Sequence, residues 1–277
     1  MTHLKLGDNA EAHRCFEATL RLAVDEGSVR GQASCLHHLG RVAFGRRDMV
    51  TALDLFTKGM AIDQASGNKE GVCWALCRIG HVLHAIDQHD QALTHLRRAV
   101  RLAEEIGEAS ARARSLREIA AIHRERGELD AAIHHSESAL RIAEEVPDLP
   151  ATAEICVVLC EINMARHRSA QAIAFGRRAV AVCERTHDLA SHARALEVLG
   201  NAQHGRGDLV DAVVAWRHAA DLYDRVDDAP SAARLRSKVH GVPVFYQEVV
   251  PMSRSATEAD LPSWPADETT EPMEMDR

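Results

Sequence analysis

A block of forty residues recurs along the chain, and no other feature constrains the fold as tightly. Stepping forward by 40 from Leu39-Gly40 returns Ile79-Gly80, Ile119-Ala120, Leu159-Cys160 and Leu199-Gly200. A second column reads Ala12, Ala52, Ala92, Ala132, Ala172, Ala212 without exception. A third reads Ala33, Cys73, Ala113, Ala153, Ala193, Ala233. A fixed period of this size indicates a stack of supersecondary units, each burying its apolar face only against its neighbours. Residues 34–67 form one full copy.

Within a unit the apolar spacing is helical. Leu36, Leu39 and Val42 predict a first helix over Gln32–Phe44, and Gly45-Arg46-Arg47-Asp48 a turn. Leu53, Phe56, Met60 and Ile62 predict a second helix over Met49–Ala65. Gly67, like Gly27 and Gly107, stands where a helix C-terminus takes a left-handed residue. Gly or Ala in the middle of the first helix, and Ala at the start of the second, let two backbones approach closely. Composition agrees: aromatics are only 4%, as suits helices packed through small residues.

Several function classes are disfavoured. The net charge is −8, and eight acids against two arginines fall in 241–277, so the repeats are close to neutral. No basic run marks a nucleic-acid surface. No apolar stretch is long enough to span a membrane, and the N-terminus has no apolar signal region, so a cytoplasmic protein is expected. Seven cysteines, an odd number scattered through helical segments, read as reduced thiols. There is no G-x-S-x-G, H-E-x-x-H or phosphate loop, so no enzyme and no cofactor are expected. Cys73, Cys77, His81 and His84 share one helix face, but they span about 16 Å along the axis and cannot close one tetrahedral site. No metal site is expected.

Leu39-Gly40 followed by Ala52, Phe56 and Gly59 resembles the tetratricopeptide repeat, in a 40-residue variety that covers about residues 8–240. The resemblance implies an all-α, right-handed superhelix, a solenoid of about five and a half helical hairpins. Its parts are an orphan helix at 8–26, repeats near 32–67, 70–107, 110–146, 150–187 and 190–227, and a capping helix at 229–240. A disordered, acidic, Pro-rich tail is expected over 241–277. Ser136 and Gly176 replace the aromatic of Phe16, Phe56 and Trp216, and Cys160 replaces a glycine, so the third and fourth repeats are expected to pack more loosely.

In that family the first helix of each hairpin lines a concave face that holds ligands. Carried over, the groove is Trp74, Cys77, His81, His84, Arg114, Arg117, Arg124, Glu154, Glu161, Arg194 and Asn201. The ladder also runs through Ser34, His37, Arg41 and Phe44. Three arginines beside a tryptophan suit a protein or peptide ligand of acidic character. The last repeat is similar to the arrays that close actinobacterial regulators of the AfsR type. That similarity implies a protein- or peptide-binding scaffold in a bacterial regulatory or signalling system. The alternative is a ligand- or peptide-sensing module of a transcriptional regulator without its DNA-binding domain. The orphan helix leaves an apolar stripe, Phe16, Leu20 and Leu22, as a candidate surface for self-association. The acidic tail is a candidate occupant of the basic groove.

Overall fold

The computed structural model describes residues 9–243; the first eight residues and the expected tail beyond its first three residues lie outside them, and Val242, placed in that tail, is buried with Leu235 and Val239. The described residues form twelve α-helices and no strand. A single helix, α1 (Asn9–Asp25), leads five hairpins. These are α2 (Val29–Gly45) with α3 (Met49–Ala65), and α4 (Lys69–Ala85) with α5 (His89–Ile106). Next come α6 (Ala109–Glu125) with α7 (Leu129–Glu145), and α8 (Leu149–Ala165) with α9 (Ser169–Thr186). The last is α10 (Leu189–Arg206) with α11 (Leu209–Arg225), and α12 (Ala229–His240) closes the array. The first helices start about three residues earlier than the apolar spacing suggests, because Ser28, and not a residue nearer Gln32, caps α2.

The turns repeat every twenty residues, twice as often as the hairpins. Gly27, Arg47, Gly67, Asp87, Gly107, Gly127, His167, His187, Gly207 and Asp227 all have positive φ. Each ends one helix in the left-handed conformation. Proline fixes φ near −65°, so Pro147 breaks the column, and α7 ends instead at Val146 with φ −117°. The next residue is the N-cap of the following helix. Ser28, Asp48, Asn68, Asp148, Asp188 and Asp228 accept a backbone N–H two or three residues on. The longer Gln88, Glu108, Glu128 and Arg168 make no such bond, and neither does Asp208, whose carboxylate is held by Arg206. A short side chain is what reaches back to the first turn.

Each hairpin is packed through the columns the sequence displays. Ala52, Ala92, Ala132, Ala172 and Ala212 are wholly buried. The middle of the first helix trades volume with its partner on the second. A methyl at Gly40 would lie 2.8 Å from the Phe56 ring, at Gly80 2.5 Å from Leu96, and at Gly200 2.7 Å from Trp216. In the third hairpin the two positions are Ala120 and Ser136; in the fourth, Cys160 and Gly176, all buried. As the first residue grows, the second shrinks. The expected looseness of these two hairpins is therefore replaced by compensation, which close-packed interiors demand.

Successive first helices touch one another, α2 to α4, α4 to α6, α6 to α8 and α8 to α10, while no comparable contacts join successive second helices. The first helices thus form the inner, concave layer. The ends differ. Helix α1 packs on α2, where Phe16 stacks on His38 at 4.7 Å between ring centroids and Leu20 is half-buried, whereas Leu22 and Val24 stay exposed. Helix α12 covers α11 with Leu235 and Val239, and Ala233, the last of the third column, is exposed, as no further described helix packs on it.

Candidate binding face

The inner helices bring most of the expected groove residues onto one face but do not leave them equally free. Trp74 and Arg114 meet across α4 and α6, the guanidinium carbon 5.9 Å from the ring centroid. Arg114 reaches on to Asp148 at 3.7 Å. It does not pair with Glu118 one turn away, because Glu118 turns inward. That carboxylate is only 3% exposed. It accepts from Arg117 at 2.6 Å and lies 3.1 Å from His84 Nδ1 and 3.7 Å from His81 Nδ1. Burial alone would raise its pKa, but Arg117 and the two histidines hold it well below the usual carboxylate range. The same carboxylates, Glu118 first and Glu154 next, raise Arg117 against its own desolvation.

Beyond α6 the ladder charges close on each other. Arg117 also lies 3.2 Å from Glu154, and Arg124 3.5 Å from Glu161. Arg194 donates to the same Glu161 at 2.9 Å. The final hairpin is covered by the cap. Asn201 Oδ1 accepts from Trp216 Nε1 at 3.1 Å and from Lys238 Nζ at 2.8 Å. Glu197 accepts from the Tyr223 hydroxyl at 3.0 Å and from Arg234 at 3.1 Å. Asn201 is therefore a strut under α12, and its place in an open groove is corrected.

Cys77 is corrected too. It is buried against Val72, Leu76 and Ala99, not open to the groove. Burial pushes its thiol up, and takes Cys73, Cys160 and Cys183 up to about 12 and Cys156 to about 11. Buried thiols of this kind pack; they do not react at neutral pH. Cys15 is the one exposed cysteine among the described residues.

A residue missing from the expected groove completes it. Arg78 on α4 stands in the electrostatic field of Arg41 on α2 and of Arg114 on α6. Burial lowers the pKa of Arg41 and of Arg78, and the field of Arg114 lowers both further. Among the described residues neither Arg41 nor Arg78 has a hydrogen-bond or ion-pair partner; the field of Glu154 alone among the groove acids offsets the charge of Arg78 in part. Three successive inner helices thus hold three cations close together, two without an acid. The column of Arg78 continues as Glu118, Val158 and Val198, all buried, and that mixed chemistry hides it in the sequence.

Residues 71–145 match the family model described as Tetratricopeptide repeat. No curated protein matches the chain significantly. Among solved structures, BtubC (BKLC) from P. vanneervenii is similar with a TM-score of 0.60 at 18% identity, over 94% of this chain and 97% of that one. A Rap protein complexed with Competence and Sporulation Factor gives 0.66 at 16%, over 90% and 74%. NprR in complex with its cognate peptide NprX gives 0.66 at 15%, over 87% and 71%. No described helix is long and apolar enough to cross a membrane. Residues 71–145 carry the tetratricopeptide signature, and the described chain as a whole is a tetratricopeptide-like helical-repeat solenoid.

Proposed function

We propose that this chain binds a peptide or protein segment through a carboxylate, on the inner face of α2, α4 and α6. The observation that carries this reading is the group Arg41, Arg78 and Arg114, crowded together with too few acids. Unpaired guanidinium groups in one another's field are costly alone and favourable around an anion, and their forks match a carboxylate. Trp74, under Arg114, offers an apolar platform for the residue beside that carboxylate. The Rap structure is of a complex with Competence and Sporulation Factor and the NprR structure of one with its cognate peptide, and NprR is a quorum sensor, which supports a bacterial regulatory role for a chain with this fold. The role is binding, as a scaffold or as the sensing part of a regulator, and no catalysis is assigned to it.

The test is selection of ligands from a displayed random peptide library, followed by titration of labelled hits with free and amidated C-termini. Arg41→Glu and Arg78→Glu should each weaken binding at least tenfold, and Arg185→Glu, on the outer helix α9, should leave it unchanged. Hits that bind all three variants equally would move the site away from this face.

A further inference from the structure

His84, His89 and Glu125 converge where the turn of the second hairpin meets the turn of the third. His84 lies in the last turn of α4, His89 is the first residue of α5, and Glu125 is the last of α6. Their nearest donor atoms, one from each residue, lie within 4.8 Å of one another. His84 Nε2 is 3.0 Å from Glu125 Oε2, and His89 Nε2 is 3.4 Å from the same oxygen. In a tetrahedral zinc site with bonds near 2.0–2.1 Å, neighbouring donors stand about 3.3 Å apart. The apo spacing therefore already brackets that of a coordinated ion.

Two further observations point to a ligand. His89 Nε2 is buried and makes no hydrogen bond among the described residues, although it stands 3.4 Å from Glu125 Oε2 and 3.8 Å from Asp87 Oδ1. And the opposite nitrogen of His84, Nδ1, lies 3.1 Å from the buried Glu118. A carboxylate behind a histidine ligand orients the ring and raises its basicity; it is the usual outer partner of a zinc-bound imidazole. The nearest competing cation is Arg124, which spends one nitrogen on Glu125 Oε1 at 3.2 Å and leaves Oε2 to the histidines.

We propose that His84 Nε2, His89 Nε2 and Glu125 Oε2 form a divalent-metal site of zinc type, with Glu118 as the positioning carboxylate. Two imidazoles and a carboxylate suit zinc, whereas thiolates would be needed to favour softer ions. Three protein ligands leave one position for water or for a donor from a bound partner. This site differs from the Cys73, Cys77, His81, His84 set of the sequence: it keeps His84 alone and draws its other ligands from two neighbouring helices. It ties the second repeat to the third, so metal binding should stiffen their junction.

The experiment is a titration of the metal-free full chain with Zn2+ against a chromophoric chelator, under reducing conditions, in a Cys15→Ser background. One ion per chain should bind. His89→Ala and Glu125→Gln should each weaken it at least tenfold, and Glu118→Gln about tenfold to a hundredfold. His134→Ala, an exposed histidine elsewhere, should change nothing. Zn2+ should also raise the melting temperature of the parent and not of His89→Ala. Co2+ in place of Zn2+ should give the intense visible bands of a tetrahedral site, lost in Glu125→Gln. The proposal is overturned if binding is absent, or if His89→Ala and Glu125→Gln, shown folded by circular dichroism, bind Zn2+ as tightly as the parent.

Discussion

The inner face changes character along its length. From α2 to α6 its cations crowd together, and Arg41 and Arg78 meet no acid; from α6 to α10 each ladder charge has a partner across the repeat boundary. The helices, turns and packing columns are the same in both halves. What differs is whether the charges are spent. Glu154, Glu161 and Glu197 neutralise the second half from within, and α12 seals its end through Arg234 and Lys238. A surface whose charges are spent holds repeats together; one whose charges are left over is stabilised by something that arrives.

The largest test of that difference is stability. Glu118→Ala strands the buried side of Arg117 and should cost about 3–5 kcal/mol. Arg78→Met removes a cation from a like-charged group and should change stability by less than about 1 kcal/mol. Urea denaturation compares the two, and equal losses would erase the distinction. Next comes affinity. For a selected peptide, Arg41→Glu or Arg78→Glu should cost at least about 1.4 kcal/mol, a factor of ten. Arg194→Glu, in the paired half, should cost under threefold by fluorescence anisotropy.

The turns draw a second contrast. Arg47, Asp87 and His167, at the turns of the first, second and fourth hairpins, bear side chains at positive φ, where the third and fifth hairpins have Gly127 and Gly207. Arg47→Gly and Asp87→Gly should each stabilise by about 1 kcal/mol, read from thermal melts. Gly127→Arg should lose a similar amount.

The smallest effect is titration. His192 is lowered to about 4 by burial and by His218 beside it. Its folded pKa lies below the unfolded value of 6.5, so the unfolded chain takes up the proton first. Stability from this group is present above pH 6.5 and lost as pH falls toward 4. His192→Asn should flatten that part of the profile. His38 is lowered by burial, then by Arg41, with Arg78 contributing. A bound carboxylate should therefore raise the pKa of His38 and leave that of His192 unchanged, which histidine NMR titration resolves.

Much of the fold could be read in advance because a solenoid writes its packing into columns. Ala52 to Ala212 lie in the core because nothing larger fits between two backbones. The site was less legible, for identifiable reasons. Helical spacing puts Glu118 one turn from Arg114, but a buried carboxylate takes whichever cations surround it in space, and those come from α4 and α6 together. Cys77 occupies a groove position in the pattern, yet the small thiol sinks beside Leu76 and Ala99. Asn201 was misplaced because the cap, not another repeat, lies over the last hairpin. Arg78 went unseen because its column mixes His38, Glu118 and two valines.

The volume trade between Gly40 and Phe56, or between Cys160 and Gly176, is settled inside a single hairpin. Lengthening such an array therefore works by whole hairpins. A duplicated pair brings its own fitted knob and hollow, whereas moving α8 alone in front of α5 would press a sulfur into Leu96. The hairpin, not the helix, is therefore the smallest block by which this array can grow without refitting its core, although the turns recur every twenty residues.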